Sequence, residues 1–282
     1  MRYHDWQLNR AVERRYSVAI TRIMQGLQTE LSRIRSPFSV AAAIRRYARS
    51  PTFRQAAEIL ARSMVTHVFS DGHKNWREAA RAGSKGKAVY NALQNELSGS
   101  QIGLTYDDLI SRNADLIRSM PMHMADQVTH MVSRKSQAGL RPEAIMQDVL
   151  QACPNMTRSH ARLIARTESS KASTALTQAR SREADLRWYV WRTGKDIRVR
   201  DSHRRMEGVL VNWDEPPSPE ELNNERRGYG NYHAGNIFNC RCYPEPLIML
   251  SDVSWPHKVY YQGKIQMMTL AKFKRIAGGD IT

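Results

Sequence analysis

The stretch Ala179-Arg-Ser-Arg-Glu-Ala-Asp-Leu-Arg-Trp-Tyr-Val-Trp191 decides the fold class, because the texture of the chain changes inside it. Upstream, Leu163, Thr167, Ala172, Ala175, Leu176 and Ala179 recur at helical spacing and give a small-residue apolar face. That pattern runs to about Leu186. Trp188-Tyr189-Val190-Trp191 is then aromatic and β-branched, which suits a pleated surface better than a helix. Gly208-Val-Leu-Val-Asn-Trp213 is a second strand candidate, and Val259 to Met268 a third strand or hairpin.

Working outward, residues 214–235 carry Pro, Glu, Asn and Gly and read as a long loop. Asn239-Cys-Arg-Cys-Tyr243 reads as a short strand or turn stopped by Pro244 and Pro246. On the amino-terminal side, Tyr16, Ile20, Ile23, Met24, Leu27 and Leu31 mark one helix face. Ser36-Pro37 and Ser50-Pro51 each start a helix, and Asp71-Gly72 reads as a turn. A short helix is predicted over Val89 to Leu97, with a linker over Ser98 to Gly103. Thr105 and Asp108 suggest a capping box that opens another helix. Pro121, Gly139 and Pro142 punctuate the chain beyond it, and Asn155 or Thr157 caps a new helix.

The predicted class is α+β: a largely helical amino-terminal half, then a small module with a short antiparallel sheet. The expected divisions are a helical region at 1–104, a helical connector at 105–156, an α+β module at 157–250 and a basic tail at 251–282 with a frayed end. The amino-terminal helices are expected to be partly ordered only on binding, since no partner for their apolar faces is evident.

The 282 residues hold 43 Lys and Arg against 27 Asp and Glu, a net charge of +16. This predicts a polyanionic partner, namely nucleic acid, an anionic surface or an acidic protein. Ten Arg and three acids fall in the first fifty residues, among them Arg14, Arg15, Arg45 and Arg46 as candidate phosphate contacts. No base-reading motif accompanies them, so only phosphate-dominated contact with duplex DNA is predicted. No apolar run reaches the roughly 18 residues of a membrane helix, and no secretion signal or membrane partner is expected. Three cysteines exclude a disulfide framework and suit a reducing compartment.

His203, His233, Cys240 and Cys242 form the one cluster with metal-ligand chemistry; two imidazoles and two thiolates suit tetrahedral zinc. In an extended C-x-C segment the two Cα atoms lie roughly 6.5 Å apart, so chelation needs a kink, which Asn239 and Pro244 permit. The alternative is a pair of reduced thiols packing as small hydrophobes, with His203 bonded to a backbone carbonyl. Cys153 reads as a buried residue at a helix end. Glu168 is expected to pair with an Arg of residues 192–205. Asp196, Arg198 and Arg200 share a face if that segment is extended. Nucleotide-binding loops and the nucleophile elbow are absent from the sequence. A metal-dependent nuclease or hydrolase built on the His/Cys cluster is the alternative to a non-enzymatic role.

Ile164-Ala-Arg-Thr-Glu168, Tyr189-Val-Trp-Arg-Thr193, Asp196-x-Arg-x-Arg200, His203, Gly208 and Asn239-Cys-Arg-Cys242 occur in this order. The series resembles the phage Mu protein F-like family of minor head, or head morphogenesis, proteins, over roughly 120–250. The positions carrying the resemblance are Arg166, Thr167, Glu168, Trp191, Asp196, Arg198, Arg200, His203, Gly208, Cys240, Arg241 and Cys242. The resemblance implies a non-enzymatic virion protein of a tailed bacteriophage, associated with the portal and with scaffold or major capsid protein. It implies action in procapsid assembly, DNA packaging or ejection, in the capsid interior or at the portal vertex, with host cytoplasm as the place of assembly.

Overall fold

A computed structural model describes residues 6–82 and 100–277. The element order is α1 (Arg10–Ile23), α2 (Gln25–Leu31), α3 (Pro37–Arg49), α4 (Pro51–Ala82), α5 (Gln101–Gln137), α6 (Pro142–Glu183), β1 (Trp188–Arg192), α7 (Asp201–Met206), β2 (Leu210–Asn212), α8 (Pro219–Leu222), β3 (Tyr243–Pro246), a 3-10 turn (Leu250–Asp252), β4 (His257–Tyr261), β5 (Lys264–Met268) and α9 (Leu270–Ala277). The class is α+β, as expected. The chain divides into two compact units: Met1–Asn9, His67–Asp107 and Thr167–Thr282 form one, Arg10–Thr66 and Asp108–Arg166 the other.

The second unit is helical. Ile20, Met24, Leu27 and Leu31 are almost wholly buried within it, as are Val40, Ile44, Ile117 and Val128. The faces that lacked an evident partner in the sequence thus find one in the same unit. Tyr16 donates its hydroxyl to Asn113 Oδ1 (3.1 Å), and the Asn113 amide donates to the Leu109 carbonyl (2.8 Å). Both partners of this buried polar pair are therefore satisfied.

The breaks expected at Asp71-Gly72, Thr105, Pro121 and Asn155 do not occur. Pro121 and Pro154 lie inside α5 and α6. Each removes one backbone donor, yet burial continues across it: Val149, Cys153, Thr157 and Ala161 form one stripe at four-residue spacing. Cys153 is accordingly buried in mid-helix, not at a helix end. Gly72 lies within α4 because a Cβ there would come 2.7 Å from the Arg180 guanidinium, itself buried over the Phe69 ring. Thr105 bonds back to the Gln101 carbonyl (2.8 Å) instead of capping, and α5 already begins at Gln101 inside the expected linker. The helix predicted at 89–97 lies outside the described residues.

In the other unit the five strands run in the order β3-β1-β2-β4-β5. All neighbours are antiparallel except β2 and β4, which pair in parallel at Leu210 and Val259. Pro244 and Pro246 do not stop β3; they lie in it. Proline is tolerated there because β3 is an edge strand, with a free side for the missing donors. Period-two alternation sorts β1 onto two cores. Trp188 and Val190 meet Leu210, Val259, Leu247 and Phe273 of α9. Tyr189 and Trp191 meet Val209, Val211, Tyr232, Cys240 and Cys242 on the other face. The segment expected to fray instead forms α9 through Ala277, with Phe273 fully buried.

Candidate metal centre

His203 sits in the single-turn-plus helix α7, which opens after the extended residue Arg200. Cys240 and Cys242 lie in the loop leading into β3. Asn239 adopts φ 56°, a left-handed conformation that asparagine tolerates. The Cys240 N–H then closes a turn on the Ile237 carbonyl (3.3 Å), and the Cys242 N–H donates to Cys240 Sγ (3.3 Å). This is the kink that a C-x-C pair needs to bring its sulfurs to one side.

The outcome is a compact triad. His203 Nδ1 lies 3.3 Å from Cys242 Sγ and 3.5 Å from Cys240 Sγ. The three side chains form a group that can hold a metal ion, each offering one ligand atom. All three are 4% exposed or less, which denies a bulky substrate access to them. A hydrogen bond from the Cys242 thiol, together with the His203 ring, holds the Cys240 thiol well below the ordinary thiol range. The bond to Cys240 and burial push Cys242 well above it.

His203 does not bond a backbone carbonyl. Its Nε2 faces the Tyr232 hydroxyl (2.9 Å), which donates to Glu220 Oε1 (2.7 Å). Ser202 adds a 3.3 Å contact to the same oxygen. Glu220 is fully buried on α8, and its Oε2 has no hydrogen-bond partner among the described residues. Burial and the bond to Glu220 push the Tyr232 hydroxyl upward. Tyr232 and Glu220 were missed from sequence: they belong to the 214–235 loop, where neither spacing nor motif marks them.

His233 lies outside the triad. Its Nδ1 is 3.2 Å from the Tyr189 hydroxyl and its Nε2 is 3.5 Å from the Gln178 amide, with Trp213 against the ring. Burial, then the Arg182 charge, pulls its pKa down to about 4 from an ordinary 6.5. The folded state therefore favours the neutral ring. The stability this confers is complete above about pH 6.5 and is lost as pH falls from there to about 4, by roughly 3 kcal/mol over the window. Urea midpoints at pH 7 and pH 4.5 should show this loss, and His233→Gln should flatten it.

The remaining motif residues form a polar frame. Asn239 N–H donates to Thr167 Oγ1 (3.1 Å), and Thr174 donates to the Ala234 carbonyl (2.7 Å), so one face of α6 holds the loop before the cysteines. Arg241 meets Asp196 at 3.6 Å. Asp196 also accepts the Arg198 N–H (2.9 Å) in a turn, so residues 196–199 are not extended and Arg198 is exposed. Arg200 donates to the Phe238 carbonyl (3.0 Å) and stacks 4.8 Å over that ring. Arg192 bonds Glu245, while Glu207 accepts both the N–H and the hydroxyl of Thr193 at 2.6 Å. Gly208 takes φ 77° at the turn into β2, where a side chain would be strained. Glu168 pairs with Lys171 (3.3 Å) on its own helix, not with an Arg of residues 192–205. Arg166 pairs with Glu13 (3.2 Å) in the helical unit. Of the candidate phosphate contacts, Arg14, Arg15 and Arg46 are exposed, and Arg45 pairs with Asp126 (3.1 Å).

The fold and the triad define an α+β module whose helix-framed sheet closes over a buried imidazole–thiol corner. Residues 126–244, less than half of the chain, match the model of the family described as Phage Mu protein F like protein. An uncharacterised protein of Haemophilus influenzae (strain ATCC 51907 / DSM 11121 / KW20 / Rd) is 31% identical over 140 residues, covering 50% of this chain and 29% of that protein. No solved structure matches. Among the described residues, no helix is long and apolar enough to cross a membrane.

Proposed function

We propose that the chain is a minor head protein of a tailed bacteriophage, acting in procapsid assembly at the portal vertex. The observation that carries this reading is the family match over residues 126–244, which spans the triad and its polar frame. Scaffold or major capsid protein is the further protein partner, and the virion interior the place of action. In this reading the His203–Cys240–Cys242 corner fixes the fold and has no reactive role; its burial supports that over the nuclease or hydrolase alternative. Immunodetection in purified particles tests the proposal. A few copies per particle are expected, and absence from both procapsids and mature heads overturns it.

The proposal includes non-specific contact with duplex DNA, supported by the net charge of +16 and the exposed Arg14, Arg15 and Arg46. Affinity should fall linearly with salt on logarithmic axes, and each Arg→Ala change among these three should lower the slope by about 1. A response indifferent to salt removes DNA from the partners.

A further inference from the structure

We infer that His203, Cys240 and Cys242 bind one zinc ion and that Tyr232 and Glu220 position the histidine for it. This rests on the structural-corner reading above and deepens it. In a tetrahedral site, Zn–S near 2.3 Å and Zn–N near 2.05 Å place nitrogen and sulfur ligands about 3.6 Å apart. Nδ1 stands 3.3 and 3.5 Å from the two sulfurs, close to that edge length. Both sulfurs face the same ring nitrogen, which makes Nδ1 the ligand atom and leaves Nε2 to carry the proton.

The surroundings fit that tautomer in a single direction. Nε2–H donates to the Tyr232 oxygen, whose own hydroxyl donates to Glu220 Oε1. A carboxylate at the end of such a chain raises the basicity of the imidazole and fixes its plane. Two thiolates balance the charge of Zn²⁺, so the buried centre is neutral overall.

The ion also joins segments far apart in sequence. His203 belongs to α7, Cys240 and Cys242 to the approach to β3, and Tyr232 and Glu220 to the loop between β2 and those cysteines. The identity of the zinc ligands therefore decides how that loop is held.

Cobalt titration of the full-length, metal-stripped protein tests the inference, because thiolate ligation gives a charge-transfer absorption that other ligand sets lack. The wild type should show this band at one equivalent, and zinc should displace it. Cys240→Ser should abolish the band. Tyr232→Phe, which keeps the ring, and Glu220→Gln should each weaken zinc affinity by about 10–100-fold. His233→Gln should bind as the wild type does. Binding by the wild type with Tyr232→Phe and Glu220→Gln unaffected overturns the positioning roles while leaving the zinc corner intact. Loss of binding in His233→Gln overturns the ligand assignment. No cobalt or zinc bound by the wild type overturns the centre altogether.

Discussion

Trp191→Ala is expected to destabilise the α+β unit by about 3–5 kcal/mol, the range for removing a fully buried tryptophan. Trp191 has no exposed surface. Its strand β1 lies between β3 and β2, and its backbone is tied on the β2 side by Trp191 N–H to the Val209 carbonyl (2.8 Å) and Gly208 N–H to the Trp191 carbonyl (2.9 Å). The backbone is thus held while the side chain is removed, and the core cannot collapse into the space. The indole packs edge-on to His203 with centroids 5.7 Å apart, and lies 6.3 Å from Tyr232. Truncation therefore opens a cavity against the ring that lines the candidate metal centre. Urea unfolding followed by circular dichroism should show the loss at an unchanged slope. Trp191→Phe should recover part of it. A loss below about 1 kcal/mol would contradict the packing described.

Gly235→Ala should cost about 2–5 kcal/mol, combining a left-handed backbone with overpacking. Gly235 holds φ 85°, and a Cβ there would lie 2.5 Å from Thr174 Oγ1 and 2.7 Å from the Cys242 carbonyl oxygen. The second neighbour is backbone, so it cannot swing aside as the end of a long side chain would. Relief requires moving the cysteine loop away from α6, which also strains the Thr174 bond to Ala234. Thermal unfolding of Gly235→Ala beside Gly208→Ala separates the two contributions. Gly208 has a similar φ of 77° but no atom within 4 Å of a built Cβ, so it should show the backbone cost alone. Equal losses at both sites would show that the close approach at Gly235 carries no weight.

The helical stretches were legible where one apolar face was long and uninterrupted, as from Tyr16 to Leu31. They were misread where a local breaker sat in a helix stabilised from outside. Pro154 removes a backbone bond, but the buried stripe from Val149 to Ala161 outweighs that loss. Gly72 reads as a turn until Arg180, over a hundred residues away in sequence, occupies the space of its absent side chain. In the candidate site the C-x-C pair and His203 were visible, because sulfur and imidazole are chemically distinctive. His233 was grouped with them on chemistry alone, yet one step along the chain from Tyr232 sends its ring toward Tyr189 and away from the sulfurs.

Residue type and periodicity by themselves determined the α+β class, the strand at Trp188–Trp191, the hairpin near the carboxy terminus and the excess of positive charge. These arise from local preference and solvent partitioning, which each segment carries with it. The tertiary structure decided which imidazole meets the sulfurs, that Tyr232 and Glu220 stand behind it, and that prolines sit in an edge strand. Those facts depend on side chains brought together across long separations by the burial of two sheet faces, and pair distances of that kind are not encoded in any local run of residues.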